Sequence, residues 1–246
     1  MSTIVILALG ALGDGFVTGL AGFGTVLTAL GLWLHVVSPA VAAALVVVCS
    51  VAGQIQSLSA VRRAVAWSRV WPFPVGGVLG VPLGVTALRV IEPRMLKVFL
   101  GVLLVGYTGL TLALRRFPTV SGGGRVADGV VGFGAGALGG VAGLSGPLPT
   151  IWCSLRGWSA DTQRGVYQPF NLAILGLVLC AYAAQGLLTR QIWGYALVCL
   201  PATILGAYLG IRLYGRVNDR QFRALVLWLL LASGIVLMVS NLTLAR

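Results

Sequence analysis

Two glycine-rich segments interrupt apolar stretches: Gly19-Leu20-Ala21-Gly22-Phe23-Gly24-Thr25, and Gly140-Val141-Ala142-Gly143-Leu144-Ser145-Gly146-Pro147. Gly140, Ala142 and Gly143 follow Gly19, Ala21 and Gly22 by the same 121 residues. The chemistry this pattern supports is non-covalent capture of an anion. A helix that starts at such a break aims unpaired N–H groups and about half a positive charge at whatever precedes it. Two of them, starting near Gly24-Thr25 and Ser145-Gly146 and facing each other, offer about one unit of positive potential, enough for a small monoanion. Gly22, Gly24, Gly143 and Gly146 let a ligand approach the backbone, while the Thr25 and Ser145 hydroxyls can donate to its oxygens. The bland alternative is that small residues only let helices pack closely. A duplicated break, each followed by a short apolar run, favours the site.

Other polar residues fall inside apolar runs. Tyr167-Gln168-Pro169-Phe170-Asn171 places two amides beside a proline, and 121 residues before Asn171 stands Ser50. Buried amides are costly in lipid unless bonded, so Gln168 and Asn171 either line the cavity with Ser50 or bond backbone freed by Pro169. Gln54 and Gln56 suit a vestibule or interhelical bonds equally. Of the five acids only Asp14 lies within an apolar run; an ionised aspartate there costs about 2.5–3.5 kcal/mol on insertion scales. It either couples transport to protons or faces an aqueous funnel. No basic residue is expected at midplane depth. His35, the single histidine, reads as a polar cap. Cys49, Cys153, Cys180 and Cys199 lack metal or redox spacing and read as core packing. Trp33 and Trp152 ride on the runs after the breaks, where packing is favoured over ligand stacking. No nucleophile with its base, phosphate loop or metal cluster is legible, so an enzyme is not expected and no cofactor is implied.

The elements that must hold these groups are membrane helices. With 58% hydrophobic and 9% charged residues over 246, the chain is too apolar for a soluble domain of this size. Ten apolar stretches run at about 4–20, 23–37, 40–60, 70–88, 95–114, 127–143, 146–157, 165–187, 191–211 and 222–244. Most approach the roughly 20 residues that cross a bilayer. The two that follow the breaks are shorter and read as half-helices, each in a re-entrant hairpin with its predecessor. Leu79-Gly80 and Leu83-Gly84 recur as Leu205-Gly206 and Leu209-Gly210, 126 residues on. The expected fold is therefore an all-α polytopic membrane protein with two inverted-topology repeats, each a broken hairpin followed by three transmembrane helices. The first repeat takes residues 1–115, the second 127–246, and the loop 116–126 joins them.

Orientation follows from the basic residues. If each break returns to its own face, the halves are inverted and the basic residues divide twelve to five; in a parallel arrangement they divide almost evenly. The positive-inside rule selects inversion, with both termini periplasmic or extracellular. The net charge of +12 then reflects cytoplasmic loops near anionic lipid, and nucleic acid is not an expected partner. Met1 to Ile4 lacks the basic leader of a signal peptide.

The paired glycine segments, the prolines in Ser145-Gly146-Pro147-Leu148-Pro149, the size and the two-half layout resemble the TauE/SafE family of sulfite and organosulfonate exporters. The resemblance covers nearly the whole chain. It implies a secondary transporter of the bacterial inner membrane that exports a small sulfur-containing anion by alternating access. An anion channel using the same helix starts as a filter, or a transporter of small carboxylates, is the alternative. The expected partners are the anion, membrane lipid and a coupling ion, proton or sodium; a homodimer is left open.

Overall fold

The computed structural model describes residues 3–23, 29, 32–33, 36–87, 102, 105–106, 109, 119–120, 122–214, 216, 221, 224, 228, 231–232 and 235. All regular structure among them is helical: α1 (Thr3–Ala21), α2 (Pro39–Val61) with a 3-10 turn at Arg62–Ala64, α3 (Trp67–Val70), α4 (Pro72–Ala87), α5 (Gly124–Ala142), α6 (Pro147–Leu155), α7 (Ala160–Ala184) and α8 (Arg190–Tyr214). Among the described residues, five spans are long and apolar enough to cross a membrane: Thr3–Ala21, Val41–Ala64, Trp67–Ala87, Ala160–Ala184 and Arg190–Tyr214. Helix α5 has the length, but seven glycines with Arg125 and Asp128 lower its hydropathy below theirs. Most of the expected spans 95–114 and 222–244, and most of the half-helix 23–37, fall outside the described residues. Helix α5 begins at Gly124, inside the segment read as a joint.

Local chemistry sets the boundaries. Ser38, extended at ψ 152°, precedes Pro39 in the first turn of α2, where its missing N–H costs nothing. Ser159 caps α7 by accepting from the Thr162 N–H at 3.4 Å, and Asp161 in the first turn complements the helix dipole. Helices α1 and α5 both stop at a left-handed glycine, Gly22 (φ 77°) and Gly143 (φ 72°), a conformation that costs other residues about 1–2 kcal/mol.

Two helix pairs dominate the packing, α1 with α8 and α4 with α5. Both are knitted by glycine. A Cβ on Gly15 or Gly19 would sit 2.0 or 2.2 Å from the carbonyl oxygen of Thr203 or Ala207, and one on Gly206 or Gly210 would sit 2.1 or 2.2 Å from that of Leu12 or Phe16. Across α4 and α5, Gly80 and Gly84 meet the carbonyls of Phe133 and Ala137, while Gly136 and Gly140 meet those of Gly77 and Val81. Backbones this close admit no side chain, and the partners advance together along each pair, so both pairs run parallel. The contacts also correspond. Gly15 against Thr203 becomes Gly136 against Gly77 when 121 residues separate the first members and 126 the second, and the other three contacts of α1 with α8 map in the same way.

After each break the chain doubles back. Trp33 donates its indole N–H to the Leu7 carbonyl at 3.1 Å and packs on Gly10, so the segment after Gly22 has returned along α1. Helix α6 returns along α5 in the same manner: Ser145 lies by Gly139, Leu148 by Gly134, and Trp152 donates to Asp128 at 2.7 Å. Arg156 closes that hairpin on Asp128 at 3.1 Å and on the Gly124 carbonyl at 3.3 Å.

Candidate functional site

The first break exposes the last carbonyls of α1, and side chains from α2 and α7 meet all of them. Ser57 donates to the Thr18 carbonyl at 3.1 Å. Arg164 donates to Gly19 at 3.0 Å and to Leu20 at 3.1 Å. The Tyr167 hydroxyl donates to Ala21, and Gln54 donates to Gly22 at 3.1 Å. Arg164 also donates to Ser57 Oγ at 2.9 Å. The Gln168 amide, turned with its oxygen toward them, accepts from Arg164 Nη2 at 2.8 Å and sits 2.7 Å from Ser57 Oγ. Arg164 is fully buried, and among the described residues no carboxylate comes within ion-pair distance of it. Around it stand backbone and side-chain dipoles and the Tyr214 ring 3.9 Å away, and Asp161 acts on its charge from beyond ion-pair distance.

The reading of Arg164 as a loop residue is therefore corrected. Sequence reasoning started the span at 165 and left Arg164 in the loop before it. Helix α7 starts at Ala160, which carries Arg164 into the interior. The signal was present as spacing: Arg164, Gln168 and Asn171 lie at i, i+4 and i+7, as do Ser50, Gln54 and Ser57 on α2, so each helix turns one polar stripe inward.

The second break has no such ring of donors. Gly143 satisfies its own helix end, donating to Gly139 at 2.7 Å, while Leu144 donates to Leu138 at 3.3 Å. Helix α6 starts at Pro147 after Gly146, with no side chain capping it. Pro147 and Pro149 remove two of its first N–H groups, and Thr150 N–H is taken by Gly146 at 3.2 Å. The Gly146 and Leu148 N–H groups remain at the tip. The two tips touch: a Cβ on Gly146 would lie 2.8 Å from Phe23 Cβ and 3.4 Å from Asn171 Nδ2. Phe23 in turn stands edge-on to Tyr167, with ring centroids 5.9 Å apart.

Of the residues singled out from sequence, Gly22 lies directly under Gln168 and Tyr167, and Gly146 lies under Phe23 and Asn171. Ser145 is buried beside Gly139, and Gly143 forms the turn. Asn171 Oδ1 and Ser50 Oγ are buried with no hydrogen-bond partner. Gly24, Thr25 and His35 fall outside the described residues. Asp14 is fully buried, and neither carboxyl oxygen has a partner.

The model of the sulfite exporter TauE/SafE family matches residues 6–237, nearly the whole chain. The chain belongs to the TauE/SafE family. It is accordingly a transmembrane transporter, and TauE/SafE proteins are transporters rather than enzymes. No match is found among curated proteins or solved structures. The match covers both helix breaks and the polar residues above.

Proposed function

We propose that this protein moves a small sulfur-containing monoanion, sulfite or an organosulfonate, outward across a bacterial inner membrane by alternating access. In this reading the halves are inverted-topology repeats and each hairpin is re-entrant, with both termini outside. The anion binds where the tips meet, held by the N–H groups at Gly146 and Leu148, the Ser145 hydroxyl and the Asn171 amide. Thr25, Ser50, Gln168 and the backbone at Gly22, Gly24 and Gly143 complete the surround. The observation that carries the reading is the contact of the two breaks, Phe23 on Gly146, beside an Asn171 amide with an unused oxygen. Arg164, buried on the same helix as Asn171 with no carboxylate in ion-pair contact among the described residues, adds positive potential that favours an anion.

The packed tips also favour alternating access over a static filter, which needs an open lane between them. Separating the hairpins uncovers Gly146, and closing them over the anion replaces Phe23 contacts with ligand contacts. The test is efflux from proteoliposomes loaded with sulfite, a sulfonate or a small carboxylate, comparing the intact protein with Asn171→Leu. A charge-assisted hydrogen bond is worth about 1.5–3 kcal/mol, so saturable flux of a sulfur oxyanion should weaken about 10–100-fold in half-saturation. Preference for the carboxylate, or flux untouched by the substitution, overturns the assignment.

A further inference from the structure

Asp14 does not stand alone. Its carboxyl is fully buried on α1 and interacts electrostatically with the Cys199 thiol of α8 and the Cys49 thiol of α2. The Thr18 and Thr203 methyls both come within 3.4 Å of where a Cβ on Gly53 would sit, which draws the three helices together at this point. Both threonine hydroxyls, like both Asp14 oxygens, are buried without a partner.

The correspondence between the halves shows that packing does not require this chamber. The positions 121 residues after Asp14, Thr18 and Cys49 are Ala135, Gly139 and Phe170, and those 126 before Cys199 and Thr203 are Phe73 and Gly77. There, Phe73 and Phe170 stand edge to face with centroids 6.1 Å apart, and Ile174 and Phe170 fill the space over Gly77. One niche of the same backbone is thus dry and aromatic, and its counterpart holds a carboxyl, two hydroxyls and two thiols. A carboxylate left ionised and unpaired there is costly, so the group must hold a cation. Hard alkali cations take oxygen ligands in number, and a chamber half walled by thiols suits them poorly.

We infer that the Asp14 chamber is a proton-binding site, separate from the anion site and coupled to it through α1; the coupling rests on the transport reading above. Thr18 is the physical link. Its side chain, one turn along α1 from Asp14, packs with that of Thr203 at Gly53, while its carbonyl accepts from Ser57, which also contacts Arg164 and Gln168 at the first break. A cavity of about 320 Å³ lined by Ile4, Leu7, Gln191, Gly194, Tyr195 and Val198 lies between the N-terminal turns of α1 and α8, on the same pair of helices. The titratable groups facing Asp14 among the described residues are Cys49 from α2 and Cys199 from α8. A proton entering along the seam neutralises Asp14 and leaves again when α1 shifts against α8.

The experiment uses the full chain in proteoliposomes with labelled 2-hydroxyethanesulfonate, which stays ionised when pH is varied. Counterflow without a gradient reads anion exchange. Accumulation under a gradient of one pH unit reads coupling, and one proton per anion allows about tenfold. Asp14→Asn should cut the ratio of accumulation to counterflow at least about fivefold, and unchanged accumulation in this variant overturns the inference. Accumulation driven by a sodium gradient instead of a proton gradient also overturns it. Should Asp14→Asn fail to fold, Thr203→Val and Cys199→Ala keep the carboxyl and should shift the pH of half-maximal accumulation; an unmoved profile in both counts against the site. Absent counterflow in the intact protein defeats the transport reading alone. The protonated carboxyl band in infrared difference spectra, intact protein minus variant, still reads Asp14 without any anion, and its absence sinks the proton site.

Discussion

Arg164 shows how a single side chain can complete a turn motif. Both breaks close with the turn glycine donating back, Gly22 to Thr18 and Gly143 to Gly139, but only the second adds a Leu144 bond to Leu138, and at the first the donors come from other helices. Arg164 is held by two of the α1 carbonyls and by Ser57. Arg164→Ala would orphan two buried carbonyls at about 1–3 kcal/mol each, so we expect a loss of roughly 2–5 kcal/mol, read as a drop in the thermal midpoint in detergent. Arg164→Lys keeps the charge but loses the fork that spans Gly19 and Leu20. It should recover part of the stability while sulfite half-saturation stays raised. Full recovery of both would make the guanidinium geometry irrelevant. The residue was readable from its i, i+4, i+7 spacing with Gln168 and Asn171, but an assumed helix start five residues too late hid it in a loop. Ser57 escaped notice because nothing in one chain reveals that α2 turns that serine toward α7.

At the level of elements, the glycine seams make the sharpest contrast. Gly80 and Gly206 each lie about 2.1 Å, in Cβ terms, from a partner carbonyl, while Gly176 and Gly194, also in helices, have nothing within 4 Å. Gly80→Ala and Gly206→Ala must push backbones apart, and we expect each to cost about 2–4 kcal/mol. Gly176→Ala and Gly194→Ala only remove backbone freedom from the unfolded chain and should stabilise by about 0.5–1 kcal/mol. Thermal unfolding of the four variants should separate them into two groups of opposite sign; a common sign would mean the seams yield. The repeat of Leu79-Gly80 and Leu83-Gly84 as Leu205-Gly206 and Leu209-Gly210 was visible in the sequence because close contact writes itself as glycine. Which helix each seam faces was not visible: periodicity gives a face but not a partner, and the partner lies in the other half. Most boundaries fell within three residues of the hydropathy edges, and the second half-helix, expected at about 12 residues, is 9 long because the chain turns at the left-handed Gly157, φ 68°.

Across the whole molecule, arginines and aromatic rings gather at one end of the helices. Arg69 lies over Trp158, Arg125 over Trp71, and Arg156 over both Trp152 and Trp158, with ring distances of 5.2–5.8 Å. Tyr214 reaches Asp161 at the same end. The opposite end gathers Ile4, Leu7, Gln191 and Tyr195 around one cavity. Residues that the positive-inside count assigned to a single face are thus brought together by cation–π contacts, each worth about 0.5–1 kcal/mol when exposed. If the halves are inverted, a cysteine at Val126 is cytoplasmic and one at Leu187 is external. On a background with the exposed Cys180 replaced, an impermeant maleimide added to intact cells should label Leu187→Cys and spare Val126→Cys until the cells are broken. Labelling of both from outside would place the two ends on one face and return the halves to a parallel arrangement. The seams, which are parallel in both pairs, constrain the alternative: they hold α1 to α8 and α4 to α5 in either topology. Reversed labelling would therefore flip the whole assembly in the membrane and reverse the side from which the anion first meets the Phe23–Gly146 contact.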